Sequence, residues 1–261
     1  MTMLRGRVAL ITGAGTGIGR VLASRYAAAG ADVALAARRR PLLEETAAML
    51  AGSGTDALVR DTDIRDEGAC RDLVAEVIGR FGRLDVLLNN AAVPGRDEPV
   101  AEMTLENWND TLATNITAPM LLSREVLRQA MIPAEAGNIQ FFSSAAAKSV
   151  LPRKSHYAVA KLGLIALAQT LAMEVGHLGI RVNTLVIGTV AGELVETYVS
   201  RLAAQEDSAP AEVLRRLTAS SALGRLVQPE EVADVSLWLA SDAASAITGQ
   251  DINVTAGAEK R

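Results

Sequence analysis

Residues 12–19 read "TGAGTGIG" and follow directly on the apolar run "RVALI" of residues 7–11. A strand, a glycine-rich turn and a helix in this order bring free backbone N–H groups and the positive end of a helix dipole to one point, where a pyrophosphate can bind. The spacing is G-x-x-x-G-x-G, because Ile18 stands where the commoner G-x-G-x-x-G has its last glycine. Taken alone, the turn also fits a tight strand-to-helix connection. Four of its eight residues are glycine: Gly13, Gly15, Gly17 and Gly19.

Short apolar segments alternate along the chain with longer segments of helical period, and no low-complexity stretch or linker interrupts them. Most of the apolar segments lack polar residues, which is typical of parallel strands covered on both faces. The pattern predicts an α/β fold: one doubly wound, Rossmann-type domain over residues 1–261, with helices on both faces of the sheet. The predicted strands are residues 7–12, 32–37, 57–61, 84–90, 138–144, 180–188 and 250–255.

Composition restricts the classes of function. The chain has 261 residues, of which 49% are hydrophobic and 21% charged, so it can bury a sizeable core. Its formal net charge of −4 lacks the basic excess of nucleic-acid-binding proteins. One cysteine, Cys70, can form neither an internal disulfide nor a cysteine metal cluster. With no apolar leader and no uncharged run of ~18 residues, we expect a cytoplasmic protein with no nucleic-acid, membrane or metal partner.

A second group of residues suggests acid–base chemistry. Tyr157 and Lys161 in "YAVAK" are four residues apart, so on a helix they lie one turn apart on the same face. A phenol with a pKa of about 10 is a poor catalyst at neutral pH, and a neighbouring cation lowers that pKa. Ser144 ends the apolar segment "IQFFSS", at the carboxyl edge where doubly wound sheets present functional groups. An isolated Tyr–Lys pair would belong to an exposed helix surface, but this pair is not isolated.

Five motifs together resemble the short-chain dehydrogenase/reductase family, in the family's order and over essentially the whole chain. The resemblance implies a sheet of seven parallel strands in the order 3-2-1-4-5-6-7 with a nicotinamide dinucleotide across its carboxyl edge. It also implies a small-molecule carbonyl or alcohol substrate and a homotetramer, or else a homodimer. The motifs are "TGAGTGIG", "NNAA" at residues 89–92, Asn115 in "TNI", "SS" at residues 143–144 and "YAVAK" at residues 157–161.

The resemblance also implies roles for individual residues. Tyr157 would exchange a proton with the substrate oxygen, and Ser144 would hydrogen-bond that oxygen. Lys161 would lower the pKa of the tyrosine and hold the nicotinamide ribose, while Asn115 would keep a water that links the lysine to solvent. The cofactor contacts implied are Gly13, Gly15, Thr16, Gly17, Ile18, Gly19, Asp63, Ile64, Asn90, Ala91, Tyr157, Lys161 and Val190.

The chain departs from the family pattern in two places near the cofactor. Ala92 replaces the glycine of "NNAG", which we interpret as harmless variation. Gly192 stands where the family usually has a threonine, so it cannot supply a hydroxyl group, although Val190 can still offer its backbone to the carboxamide. The sequence therefore offers the Val190 backbone, and no hydroxyl group at residue 192, for placing the nicotinamide.

The end of the second strand, "DVALAARRR", bears on the choice of cofactor. An NAD-specific protein of this architecture normally offers Asp or Glu here to the ribose hydroxyls, but the residue is Ala37. Arg38 follows, with Arg39 as a second candidate, and a guanidinium can pair with a 2′-phosphate. We expect a preference for NADP(H), with NAD(H) possible, because the arginines also fit a solvated helix start and Thr16 adds no basic group to the glycine turn.

The sequence leaves the substrate open. Residues 191–225 are expected to form a lid, in which Leu194, Val195, Tyr198, Val199 and Leu202 form an apolar stripe that either lines a pocket or packs the segment. A cluster of Lys148, Arg153 and Lys154 fits an acidic substrate or a solvated loop equally well. We predict an oxidoreductase; the alternatives are dehydration or epimerisation on the same scaffold, or cofactor binding without turnover.

Overall fold

A computed structural model of the chain describes residues 3–258. Its strands are β1 (Val8–Thr12), β2 (Asp32–Ala37), β3 (Ala57–Asp61), β4 (Val86–Asn89), β5 (Gly137–Ser144), β6 (Ile180–Ile187) and β7 (Asp251–Val254). Its α-helices are α1 (Gly17–Ala28), α2 (Arg40–Met49), α3 (Glu67–Phe81), α4 (Leu105–Leu112), α5 (Ala118–Val126), α6 (Ile132–Ala134), α7 (Ser155–Val175), α8 (Glu193–Glu206), α9 (Pro210–Thr218) and α10 (Pro229–Ala240).

The seven strands form one sheet in the order β3-β2-β1-β4-β5-β6-β7, and every neighbouring pair is parallel. This confirms the predicted fold class and strand order. Each strand lies where an apolar segment predicted it. The change of direction between β1 and β4, where the chain crosses from one half of the sheet to the other, is the place where doubly wound folds bind ligands.

The sheet is covered on both faces because successive side chains of a strand point to opposite sides. In β1, Ala9 and Ile11 join a core with α1 and α10, whereas Val8 and Leu10 join a second core with α3, α5 and α7. All four side chains are buried. The carboxyl ends of the strands are thereby held at one edge, where the loops that carry the predicted site begin.

The chain between β4 and β5 is helical from α4 to α6, interrupted by two π-helical turns. The first, Ala113–Thr117, contains the predicted site residue Asn115. A π-helical turn widens the backbone by one residue and is often found at functional sites. Hydrophobic periodicity does not distinguish such a turn from an α-helix, so the sequence did not predict it.

Helix α7 is long and apolar enough, by length and composition, to cross a membrane. Its side chains Leu164, Ala168 and Ala172 are instead buried in the core against the sheet. Lys161 is buried on the same helix. One face of α7 therefore belongs to the core of the fold.

The segment predicted as a lid folds into α8 and α9. Its buried residues, Val199, Ala203 and Val213, form an apolar cluster of their own, separate from the two cores of the sheet. Of the predicted stripe, Val195 and Leu202 pack on this cluster, but Leu194 is 88% exposed and Tyr198 is 42% exposed. The stripe therefore packs α8 against α9 rather than against the sheet.

Candidate active site

The glycine turn between β1 and α1 allows contacts that a side chain would prevent. A Cβ atom on Gly19 would lie 2.1 Å from the carbonyl oxygen of Gly13, so α1 can start this close to β1 only with glycine there. Gly17 has a φ of +52°, which favours glycine, and a Cβ there would meet no atom within 4 Å. The first turn of α1 is therefore open to a ligand.

A cleft of about 840 Å³ lies along the carboxyl edge of the sheet. This size is within the usual range for small-molecule sites, roughly 300–1,000 Å³. Among the residues predicted to contact a cofactor, those that line the cleft are Gly13, Gly15, Thr16, Gly17, Ile18, Gly19, Arg38, Arg39, Asp63, Ile64, Asn90, Ala91 and Val190. The open glycine turn and these walls fit a dinucleotide. Tyr157 and Lys161 are not part of this lining.

Sequence reasoning missed several residues of the same lining, among them Arg65, Thr114 and Thr197. Arg65 lies two residues after Asp63, so proximity in sequence was an available signal. Thr114 precedes Asn115 in the π-helical turn, and Thr197 lies on α8. Neither position carries a motif that would have identified it.

The hydroxyl of Thr12 joins the ends of β1 and β4. Its Oγ1 accepts hydrogen bonds from the backbone N–H groups of Asn90 and Ala91, both at 3.0 Å, and donates to the Leu88 carbonyl at 3.2 Å. The side-chain amide of Asn90 in turn donates to the Thr12 carbonyl at 2.9 Å. These bonds hold the loop after β4 against the glycine turn, so these two parts of the cleft lining are fixed to each other.

The three consecutive arginines after β2 differ in their partners. Arg40 pairs with Glu44 at 2.8 Å and with Asp61 at 3.1 Å. Within residues 3–258, neither Arg38 nor Arg39 makes an ion pair or a side-chain hydrogen bond, and both line the cleft. Arg38 and Arg39 are therefore available to an anionic ligand, and Arg40 is not.

Ser144, Tyr157 and Lys161 come together beside the cleft, at the end of β5 and the start of α7. Tyr157 is hydrogen-bonded to Ser144, whose Oγ also accepts from the Ala146 N–H at 3.2 Å. The ammonium group of Lys161 lies 5.6 Å from the centre of the Tyr157 ring and donates to the carbonyl oxygen of Phe142 at 2.7 Å. The structure thus assembles the predicted catalytic group.

Burial dominates the electrostatics of this group. Burial raises the pKa of Tyr157, and the hydrogen bond with Ser144 lowers it in part. The ammonium group of Lys161 donates its hydrogen bond to the Phe142 carbonyl. Burial also lowers the pKa of Lys161 to about 8. At neutral pH the Tyr157 hydroxyl therefore keeps its proton, and the pKa of Lys161 lies only slightly above neutral pH.

Asn115 is completely buried, and its side chain is held by one neighbour. Its Oδ1 accepts from the Val93 N–H, and its Nδ2 donates to the Val93 carbonyl, both at 2.8 Å. The side chain therefore fixes the loop after β4, whose Val93 lines the cleft. The predicted water-holding role remains a prediction for this residue.

The backbone at Val190 is fixed by its pairing with Val227. Val190 forms a parallel bridge with Val227, in which Val227 bonds to Thr189 and Ala191 at 3.0 and 2.8 Å. In such a bridge the N–H and C=O of Val190 itself point to the other side. Gly192, with a φ of +145°, begins α8 and lines the cleft without offering a hydroxyl.

The basic cluster before α7 is used within the fold. Lys148 pairs with Asp251 at 2.5 Å, Lys154 pairs with Asp97, and Arg153 donates to the Asp97 carbonyl at 3.0 Å. These contacts favour neither a free basic patch nor the acidic-substrate hypothesis. They attach the loop before the catalytic helix to β7 and to the loop after β4.

Comparisons with known proteins agree with this geometry. A family model described as enoyl-(acyl carrier protein) reductase matches residues 13–259. The short chain dehydrogenase/reductase astE of Aspergillus oryzae is 38% identical over 255 residues, 97% of this chain and 95% of that protein. D-threitol dehydrogenase of Mycolicibacterium smegmatis is 34% identical over 254 residues, 97% of this chain and 93% of that protein.

Solved structures are similar over almost the whole chain. Actinorhodin polyketide ketoreductase with NADPH has a TM-score of 0.92 and 32% identity, covering 98% of both chains. NAD⁺-bound xylitol dehydrogenase has a TM-score of 0.90 and 29% identity, covering 97% of this chain and 99% of that one. With the Ser–Tyr–Lys group beside a dinucleotide cleft, these findings show that the chain belongs to the short-chain dehydrogenase/reductase family of nicotinamide-dependent oxidoreductases.

Proposed function

We propose that this chain interconverts a ketone and a secondary alcohol, with NADP(H) as its preferred cofactor and Tyr157 as the general acid and base. The observation that carries the proposal is the position of Tyr157, hydrogen-bonded to Ser144 and one helical turn from Lys161, beside the dinucleotide cleft. A protein that only bound the cofactor would have no need of all three.

The bound nicotinamide would supply or accept the hydride at the substrate carbon. For reduction, Ser144 donates a hydrogen bond to the carbonyl oxygen and stabilises the negative charge that develops there. Tyr157 gives its phenolic proton to the same oxygen, which completes the alcohol. The raised pKa of Tyr157 keeps this proton in place at neutral pH, so the resting group is prepared for reduction.

Lys161 serves the site through its charge. Its ammonium group is held at 2.7 Å from the Phe142 carbonyl and is buried beside the tyrosine ring. A cation here favours the phenolate that is left when Tyr157 has given up its proton. The same group can donate to ribose hydroxyls, the second role that the family resemblance implies.

The preference for NADP(H) is supported by the unpaired arginines. Arg38 and Arg39 have free donors in the cleft, and Ala37 offers no carboxylate that would repel a 2′-phosphate. Relatives with solved structures are described with NADPH or with NAD⁺, so the choice rests on this chain's own residues.

The proposal is tested by a panel of ketones and alcohols offered with NADP(H) and with NAD(H), following the absorbance of the reduced nicotinamide. We expect turnover of at least one member and a higher kcat/KM with NADP(H). Substrate consumed without net change of the cofactor would favour dehydration or epimerisation, and cofactor binding without any turnover would favour a binding protein. A higher kcat/KM with NAD(H) would contradict the preference.

The cofactor preference has its own variant. Arg38→Ala should weaken NADP(H) binding by about 10- to 150-fold, the loss of one charged hydrogen bond, and leave NAD(H) binding nearly unchanged. Arg40→Ala is the matched control, because Arg40 is already paired with Glu44 and Asp61. Ala37→Asp should reverse the preference. Equal effects of Arg38→Ala on both cofactors would contradict the assignment.

We also propose that the whole chain is one dinucleotide-binding domain in which residues 191–225 close over the substrate. Glu193, Leu194 and Thr197 of α8 line the same cleft as the glycine turn, which supports this role. Leu194 is the apolar member of this set, so replacing it with a polar residue should change KM for ketones more than Kd for the cofactor.

A homotetramer, or else a homodimer, is proposed from the outer face of α7. Val159, Leu162 and Met173 are exposed there, and Met173 is 85% exposed. Apolar side chains on one helix are often covered by another subunit. Light scattering at micromolar concentration should give a mass of two or four chains, and a single monomeric species would contradict this.

The lone cysteine, Cys70, is buried as a free thiol, which supports the proposed cytoplasmic location.

A further inference from the structure

The loop after β3 places an acidic side chain next to the arginine proposed to bind the 2′-phosphate. The backbone N–H of Thr62 donates to the Ala37 carbonyl at 2.9 Å, which continues the pairing of β2 and β3 by one residue. Arg38 follows Ala37 and Asp63 follows Thr62, so the two residues leave the sheet next to each other. Both line the cofactor cleft.

The carboxylate of Asp63 is occupied by Arg65, two residues further on. Oδ1 accepts from the backbone N–H of Arg65 at 3.1 Å and from its Nε at 3.0 Å. Oδ2 accepts from Nε at 3.2 Å and from Nη2 at 2.6 Å. Hydrogen bonds from Arg65 are the main reason why the pKa of Asp63 lies below its usual value, and the charge of Arg38 lowers it further.

Without Arg65, this carboxylate would have a different partner. Arg38 is the other cation that acts on it, and Arg38 makes no ion pair within the described residues. An unheld Asp63 would pair with Arg38 and would also repel a phosphate, as an acidic residue at this edge does in NAD-specific proteins. The chain thus carries a carboxylate, Asp63, that would oppose NADP(H) binding, together with an arginine, Arg65, that holds this carboxylate.

We propose that Arg65 is a positioning residue for cofactor choice, which holds the Asp63 carboxylate and so leaves Arg38 free for the 2′-phosphate of NADP(H). This inference rests on the proposed preference for NADP(H). It assigns the preference to the set of Arg38, Asp63 and Arg65 rather than to the arginine at the strand end alone.

Of the described arginines that line the space around the pair, only Arg38 and Arg39 could take the place of Arg65. A side chamber of about 250 Å³ adjoins the cleft, and both Arg38 and Arg65 line it. Its third arginine, Arg96, is paired with Glu98 at 3.0 Å. Its acidic residue, Asp110, acts on Arg65 and not on Asp63.

The test measures binding rather than activity. Titration calorimetry with adenosine 2′,5′-bisphosphate and with AMP gives two Kd values, and their ratio isolates the 2′-phosphate from contacts of the adenine. Arg65→Gln should lower the preference for the bisphosphate about tenfold, the size of one charge-assisted hydrogen bond. In Asp63→Asn/Arg65→Gln the preference should return to about that of the unmodified protein. Asp63→Asn alone should not lower it.

The matched control is Arg83→Gln. Arg83 holds Asp85 in the same way, two residues apart, with Nε at 2.8 Å and Nη2 at 2.5 Å from the carboxylate oxygens. That pair precedes β4, at the opposite edge of the sheet from the cleft, so its loss should leave the ratio unchanged.

Two results would overturn the inference. If Arg65→Gln leaves the ratio unchanged, Arg65 has no part in the choice. If the double variant is as impaired as Arg65→Gln alone, Arg65 contacts the phosphate itself and does not act through Asp63. Arg38→Ala separates these results from the larger proposal: if it lowers the ratio while Arg65→Gln does not, the preference for NADP(H) stands and only the positioning role fails.

Discussion

The two sides of the cleft are built differently. The side formed by the ends of β1 and β4 is joined by the Thr12 hydroxyl and rests on the two buried cores of the sheet. The side formed by α8 buries its own small cluster with α9, apart from those cores. A wall that shares the core is fixed by the stability of the whole fold, whereas a separate cluster can open locally. We infer that cofactor binding depends on the first side and substrate access on the second.

The largest effect is expected where the first side is tightest. In Gly19→Ala the added Cβ would lie 2.1 Å from the Gly13 carbonyl oxygen and 2.8 Å from Nδ2 of Asn90. The start of α1 must move, and a misplacement of about 1 Å can cost about 100-fold, so cofactor affinity should fall by at least that factor. The free energy of unfolding should fall by about 1–3 kcal/mol.

Fluorescence titration with the reduced cofactor and urea unfolding measure these two quantities. The control is Gly79→Ala in α3, where a Cβ would meet nothing within 4 Å and should leave cofactor binding unchanged. Cofactor affinity in Gly19→Ala within a few-fold of the unmodified protein would mean that the turn is not fixed by this contact.

A second prediction concerns the fold stability that is lost because Lys161 of the catalytic group is buried. Lys161 is 3% exposed and its pKa is about 8, against about 10.4 for an unfolded lysine. Below pH 8 Lys161 is protonated in both the folded and the unfolded protein, so the folded protein contains a buried cation. As pH rises from 8 to about 10.4, the folded side chain loses its proton before the unfolded one, so stability rises across this window.

Lys161→Met should therefore be inactive but more stable at pH 7, by about 2 kcal/mol after allowing for the lost hydrogen bond to Phe142. The gain should shrink at pH 9.5. Urea unfolding of both proteins at the two pH values measures this. A variant that is less stable than the unmodified protein at pH 7 would show that the buried ammonium group stabilises the fold.

The smallest effect is expected in the lid. Val199→Ala removes two methyl groups from the cluster of α8 and α9, at a cost of about 2 kcal/mol that we expect to appear as local opening. Amide hydrogen exchange should become faster in these two helices, while the melting temperature stays nearly constant. Val182→Ala, in the core strand β6, is the matched substitution and should lower the melting temperature instead. Equal changes in melting temperature would remove the distinction between the two sides.

The difference between the sides also explains what the sequence could predict. The strands were predictable because each is an apolar segment, and the residues of the first wall because the glycine turn, "NNAA" and the arginine run lie in recognisable positions. The family resemblance supplied the strand order. The catalytic group was predictable from the spacing of Tyr157 and Lys161 together with the strand end at Ser144.

Other features depend on contacts between residues far apart in sequence. The hydrogen bond from the Lys161 ammonium group to the Phe142 carbonyl follows from the packing of α7 on β5. The place of Leu194 in the cleft wall follows from the way α8 packs on α9. Helical spacing alone does not tell which residues of the apolar stripe face the cluster and which face the cleft. The ion pair of Asp63 with Arg65 joins residues close in sequence, but its proposed effect on cofactor choice depends on Arg38, which follows the neighbouring strand.

The central claim is that Tyr157 carries the proton while the other residues bind and orient, and Tyr157→Phe tests it most directly. The variant keeps the aromatic ring and removes only the hydroxyl, so it should bind NADPH with an unchanged Kd. Its kcat for reduction of a ketone accepted by the unmodified protein should fall at least ~100-fold, the usual contribution of a general acid. A kcat within a few-fold of the unmodified protein, with NADPH bound equally well, would contradict the account.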